Sequence, residues 1–316
     1  MIGIIGGTGF IGLNLASHLQ AVGKPCRTLS RHGLLLNESD AYFSRLNRIA
    51  HIKGDIRDAG AVNEFVRGCS CVVLVVSHLL PGSSADEMKT VTSWFTEAFG
   101  VALDACRASN VQHLVFVSSG GTIYGENHDC VPVKEDHPLN AQSGYGSFCA
   151  LLEQLIHTFY HQHGLPFTVL RVANPYGLLK RADKKQGLID HFIRSARYGE
   201  SFTIFGTGRE VRDYVYVDDL SEAISRALDS SAHNDTFNVG TGQGHATLDV
   251  LQMVRTHFNL PEVPIRFEDR RLGDVECSLL DMSKFAQCYG VRCDTSLEEG
   301  LAKYAEAESR RRLEGS

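Results

Sequence analysis

The first twelve residues, MIGIIGGTGFIG, restrict the possible folds more than any other stretch. An apolar run suited to a buried strand stops at Gly6-Gly7, and a helical pattern starts just beyond Gly9. Gly6, Gly9 and Gly12 form a GxxGxxG spacing between the two. The first glycine of such a turn allows a tight reversal. The second lets backbone approach a pyrophosphate, and the third lets the helix lie close on the strand. The start of the helix, at Phe10 and Ile11, then faces the phosphates. The motif implies a dinucleotide held at the end of the first strand of a parallel sheet.

The following 160 or so residues repeat the same alternation. "PCRTLS", "RIAHIKGDI", "CVVLVVS", "HLVFVSS" and "FTVLRVA" read as strands. Residues 10–22, "AVNEFVRG", residues 86–108 and residues 145–163 read as helices. This order predicts an α/β fold, a doubly wound parallel sheet of the Rossmann kind, over residues 1–174. From residue 175 to 316 a smaller, mainly substrate-binding lobe is expected, with segments such as "RDYVYVDDLSEAISRAL" returning to the core. In this half "NPYGLLKRADKKQG" reads as a loop, and "SFTIFG", "VRDYVYVDD" and "TFNVG" as short strands or turns. Asp213, Asp218 and Asp219 read as a turn and a helix N-cap rather than a metal site.

A net charge of −6 does not favour nucleic acid or an anionic membrane as a bulk partner, and neither is expected, so a phosphate-bearing ligand must be held by a few placed groups. No apolar run approaches the length of a membrane span and no leader pattern opens the chain, which points to a cytoplasmic protein. The nine cysteines show no CxxC spacing, and most are expected to be reduced, buried thiols with no metal bound.

Three further positions bear on the dinucleotide. An acidic residue at the end of the second strand would select NAD, but Ser30-Arg31-His32 stands there and no carboxylate follows until Glu38. Arg31 can pair with a 2′-phosphate, which keeps NAD and NADP both open and leans toward NADP. Asp55 and Ile56, after the third strand, are expected near the adenine, and Ser77 at the edge of the fourth strand, where the cofactor must pass.

The motifs GGTGFIG, GDIRD, LVFVSSGGTIYG, GYGSF, LRVANPYG, VRDYVYVDDL and FNVGTG occur in this order over residues 1–290. Together they resemble the extended short-chain dehydrogenase/reductase superfamily, in particular its NAD-dependent epimerase/dehydratase branch, which includes the UDP-sugar epimerases. The resemblance implies a tyrosine acid/base, a Ser/Thr hydroxyl beside it, and a lysine that lowers the tyrosine pKa. Tyr145 matches the tyrosine, and Cys149 stands where the lysine belongs. The Ser/Thr position falls on Gly120; Ser119 and Thr122 flank it, with Thr122 the preferred substitute.

By the same resemblance, Asn174, Arg212 and Arg271 meet the substrate diphosphate, Asp274 a ribose hydroxyl, and Leu188, Thr203 and Phe205 the uridine. The implied activity is that of an NAD(P)-dependent nucleotide-sugar epimerase, UDP-hexose 4-epimerase-like, acting as a homodimer. A catalytically impaired nucleotide-sugar binder and an NADP-dependent sugar-ketone reductase stand as alternatives.

Overall fold

The computed structural model describes residues 1–33, 46–75, 83, 85–178, 187–230 and 234–314. Its main sheet has seven strands: β1 (Ile2–Ile5), β2 (Cys26–Ser30), β3 (Ala50–Lys53), β4 (Cys71–Leu74), β5 (His113–Ser119), β6 (Phe167–Val172) and β10 (Asp235–Val239). They lie in the order β10-β6-β5-β4-β1-β2-β3, and every pairing is parallel. The order reverses between β1 and β4, where a crevice opens at the carboxyl ends of the strands.

Alternate residues of each strand feed opposite layers. Ile4, Val73 and Val115 join one apolar cluster. Their neighbours Ile5, Val72, Leu74, Leu114 and Phe116 join the other. Helices 10–21 and 217–229 cover the first face, and helices 59–66, 85–108 and 144–163 the second. The chain is thus committed to helices on both faces by strands that are apolar on both sides.

The second half departs from its sequence reading in three places. "TFNVG" is not a strand of the smaller lobe: as β10 it extends the main sheet beside β6, because its residues are buried on both faces. "NPY", expected as loop, is strand β7 (Asn174–Tyr176), paired with Tyr214–Tyr216 of β9 (Val211–Tyr216). Asp213 sits inside β9, and the helix from Val217 carries Asp218 and Asp219 in its first turn with no side-chain cap. Asp213 is buried and accepts from Thr241 N, Thr241 Oγ1, Gly242 N and Leu280 N, while Asp219 accepts from Thr295. Buried carboxylates need such donors, and here they come from segments remote in sequence.

Helix 217–229 packs on helix 10–21, with Lys24 Nζ donating to Ser225 Oγ at 2.7 Å and pairing with Asp229 at 2.6 Å. The remaining small strands are β8 (Phe202–Phe205) with β12 (Ile265–Glu268), and β11 (Gly244–Ala246) and β13 (Cys277–Ser278) on either side of β9. Cys130 and Cys277 form a disulfide, which the absence of any cysteine spacing pattern gave no reason to expect. Cys26, Cys69, Cys106, Cys149 and Cys293 are free and buried. Among the described residues no helix is long and apolar enough to cross a membrane.

Candidate active site

The glycine turn joins β1 to helix 10–21. Gly6 has φ +92°, a conformation that side chains disfavour, and its amide donates to Leu29 O at 2.8 Å. A Cβ on Gly12 would lie 2.6 Å from Gly7 Cα, so helix and turn touch backbone to backbone. At Gly9 the situation is the reverse. A Cβ there would meet Gly6 O at 3.2 Å and no other atom within 4 Å. Helix 10–21 has Gly9 as N-cap, no side-chain cap and no acidic residue in its first turn. An uncapped helix N-terminus beside an open cradle that any side chain would fill suits a pyrophosphate.

Toward the ribose end, β2 closes at Ser30, whose hydroxyl donates to His32 O at 3.1 Å. Arg31 and His32 are exposed. Asp55 follows β3 with Ile56 buried beside it. The Arg57 guanidinium grips the Asp55 carboxylate (Nε to Oδ1 3.1 Å, Nη2 to Oδ2 2.6 Å) and holds it below the usual carboxylate range. Ser77 and Glu38 lie outside the described residues.

The tyrosine motif is assembled at the end of β5. Ser143 caps helix 144–163 by accepting from Gly146 N at 3.1 Å, which places Tyr145 on the first turn. Gly146 abuts the Thr122 carbonyl so closely that a Cβ would overlap it. Thr122 Oγ1 donates to Ser119 Oγ at 3.0 Å. Cys149 lies one helical turn after Tyr145, hydrogen-bonded to the Tyr145 side chain and to the Ser119 backbone. Burial pushes the Cys149 thiol up to about 12, so it is neutral at ordinary pH. Tyr145, Ser119, Thr122 and Cys149 are therefore brought together, with no cation from position 149.

Gly120, beside Ser119, cannot take a side chain as the chain stands. Leu280 fills the space of its missing Cβ, and Arg171 O would lie 3.0 Å away. Beneath the site lies a buried network that the sequence reading missed. Arg171 pairs with Glu153 (2.8 Å), Glu153 also accepts from Ser118, and Arg171 Nη1 donates to Tyr124 Oη at 2.8 Å. Tyr124 Oη donates in turn to Asn238 Oδ1 at 2.7 Å. Two signals were available: a charge inside the apolar strand "FTVLRVA" demands a partner, and Glu153 follows Tyr145 and Cys149 at successive four-residue steps on one helix face.

The substrate-side candidates fall into two groups. Asn174 Nδ2 donates to Asp213 O at 2.9 Å, and its carboxamide lies beside Gly121, close to the tyrosine motif. Arg212 donates to Val275 O (2.7 Å), Val211 O and Glu276 O, and so braces the 270–276 loop. Arg271 stacks over the Phe205 ring with 3.8 Å to its centroid. Thr203 and Phe205 share β8, and Leu188 begins the 187–198 helix. Gly273 (φ +84°) lets the same loop approach Gln142 and Ser143, just ahead of Tyr145. A cavity of about 490 Å³ opens there, lined by Glu126, His128, Asn140, Gln142, Arg271 and Asp274 among others.

With this geometry in view, residues 2–240 match the sequence profile of the NAD dependent epimerase/dehydratase family. The chain belongs to that family. It is 28% identical over 306 residues to the UDP-glucose 4-epimerase of Mycolicibacterium smegmatis, covering 96% of each chain. It superimposes with a TM-score of 0.86, 28% identity and 98% coverage of both chains on the Thermotoga maritima UDP-glucose 4-epimerase solved with UDP-glucose. The Thermus thermophilus UDP-glucose 4-epimerase, solved with NAD, gives a TM-score of 0.86 at 27% identity over 97% of this chain and 98% of that one. As a member of this NAD-dependent family, the chain carries its dinucleotide turn and its tyrosine motif on the same sheet edge.

Proposed function

We propose that the protein is an NAD-dependent nucleotide-sugar epimerase of the UDP-hexose 4-epimerase type, with Tyr145 as its acid/base. The observation that carries this reading is full-length likeness to UDP-glucose 4-epimerases, combined with Tyr145 on a capped first turn beside the Ser119–Thr122 hydroxyl pair. Gly6, Gly9 and Gly12 with the amides of Phe10 and Ile11 hold the pyrophosphate, and Asp55 with Ile56 holds the adenine. The dinucleotide, when bound, would supply a hydride acceptor at the sugar carbon whose configuration is inverted. Tyr145 takes the proton from the sugar hydroxyl and restores it afterwards. Thr122 shortens the proton's path, with Ser119 as its hydrogen-bond partner.

On the substrate, Asn174, Arg212 and Arg271 contact the diphosphate, Asp274 a ribose hydroxyl, and Leu188, Thr203 and Phe205 the base. Arg31 accepts a 2′-phosphate, so NADP binds as well as NAD. The resemblance further implies a cytoplasmic homodimer paired through helices 85–108 and 144–163.

One observation favours a second reading, a nucleotide-sugar binder with little turnover: position 149 holds a neutral thiol and position 120 no hydroxyl. Incubation of the purified protein with NAD and UDP-glucose separates the two. Formation of the C4 epimer supports the enzyme. Tight binding of UDP-glucose with no product supports the binder, and neither binding nor product removes both.

A further inference from the structure

Asp55 belongs to a three-residue stack. Its carboxylate is held by both Nε and Nη2 of Arg57, and the Arg57 guanidinium lies over the ring of Trp94, 5.1 Å from the centroid. Trp94 is the one tryptophan in the chain and projects from helix 85–108, which packs on helix 59–66. The turn that carries Asp55 and Arg57 is fixed at its far end: Asp58 N donates to Asp55 O at 3.0 Å, and Asp58 Oδ1 caps helix 59–66 through Gly60 N and Ala61 N. An exposed Asp–Arg pair two residues apart ordinarily contributes little to stability. Here the guanidinium also lies over an indole, and the Arg57 amide donates to Asp55 Oδ1 at 3.0 Å, so three donors of one residue converge on the carboxylate.

We propose that Arg57 and Trp94 are positioning residues for adenine recognition: Trp94 seats Arg57, and Arg57 aims the Asp55 carboxylate at the exocyclic amino group of the base. The inference rests on the cofactor reading given above, in which Asp55 faces the adenine. An ionised carboxylate accepts only, so it pairs with the amino group of adenine and is repelled by the carbonyl oxygen that hypoxanthine carries at the same ring position. The stack therefore sets base selectivity as well as affinity.

The test compares the affinity of the purified protein for NAD and for nicotinamide hypoxanthine dinucleotide, in wild type and in Asp55→Asn, Arg57→Met, Trp94→Phe and Trp94→Ala. Wild type prefers the adenine form by about tenfold or more, the size of one charge-assisted hydrogen bond. Arg57→Met and Trp94→Ala reduce that ratio to about twofold, while Trp94→Phe, which keeps an aromatic face, retains most of it. A merely structural role would weaken both dinucleotides equally and leave the ratio alone. If wild type and Asp55→Asn show no preference between the two bases, the placement of Asp55 on the adenine is wrong. If wild type discriminates, Asp55→Asn does not, and Arg57→Met and Trp94→Ala discriminate as wild type does, the positioning role is overturned.

Discussion

The side chain of Leu280 occupies the place that a β-carbon on Gly120 would take. Gly120 ends the Ser118-Ser119-Gly120 run at the carboxyl edge of β5, and Leu280 belongs to a segment 160 residues later that is bridged to Val133. The lack of a side chain at position 120 and the packing of the segment that carries Leu280 are therefore one structural fact.

Introducing a hydroxyl at position 120 alone should fail. Gly120→Ser forces Leu280 and the Arg171 carbonyl apart and should destabilise the protein by about 1–3 kcal/mol, the usual cost of overpacking. Leu280→Ala alone leaves a cavity, costing about 2–5 kcal/mol. The double variant should lose clearly less than the sum of the two, which thermal or urea unfolding of the four proteins measures as a coupling energy. Strict additivity would show that Leu280 is not what excludes a side chain at position 120.

At the glycine turn, Gly9→Val and Gly12→Ala should separate binding from folding. A side chain at Gly9 meets little protein but fills the cradle, so NAD binding should be lost while the melting temperature changes little. A methyl on Gly12 runs into the Gly6–Gly7 backbone, so Gly12→Ala should lower stability first. Calorimetric titration and thermal melts of both variants check the contrast.

Cys149 is expected to set the pH dependence of the proposed reaction. A free tyrosine titrates near ~10, and a neighbouring cation would lower that value. The neutral thiol at Cys149 supplies no such cation. Epimerase activity should therefore be slow at pH 7 and climb toward pH 9 or above, about where a free tyrosine ionises. Cys149→Lys should raise the neutral-pH rate and move the optimum down; Tyr145→Phe should abolish turnover at every pH. A wild type that is already fast at pH 7 and indifferent to Cys149→Lys would mean that another group supports the tyrosine.

Arg212 and Arg271 should differ although both are assigned to the diphosphate. UDP should raise the melting temperature of wild type, and each Arg→Ala change should reduce affinity by about ten- to a hundredfold, the value of one charge-assisted contact. Arg212 also donates to two backbone carbonyls of the 270–276 loop, so Arg212→Ala should lower the melting temperature without ligand as well. Arg271, stacked on Phe205, should leave the unliganded melt nearly unchanged. Differential scanning fluorimetry with and without UDP reads both effects.

The Cys130–Cys277 disulfide closes a sequence separation of 147 residues. Cys130→Ser, or reduction, should cost about 2–4 kcal/mol of stability through the freedom returned to the unfolded chain. Thiol counting by mass spectrometry before and after reduction should show two additional reactive cysteines.

Local patterns decided much of this protein. Strand and helix periodicities and the three glycines at positions 6, 9 and 12 specify a doubly wound sheet with a phosphate cradle, because each requirement is met within a dozen neighbouring residues. The capped first turn that carries Tyr145 is local too, and Cys149 one turn later is read directly from the spacing. What only the tertiary structure decided are pairings between segments far apart in the chain. That "TFNVG" joins the main sheet, that Asp213 is a buried hub, that Cys130 finds Cys277 and that Leu280 fills the notch at Gly120 all depend on which surfaces meet after folding. No local preference encodes them. A buried carboxylate, an unpaired β10 and an open notch at Gly120 are each satisfied by a partner that becomes a neighbour only when the apolar faces of the sheet are covered.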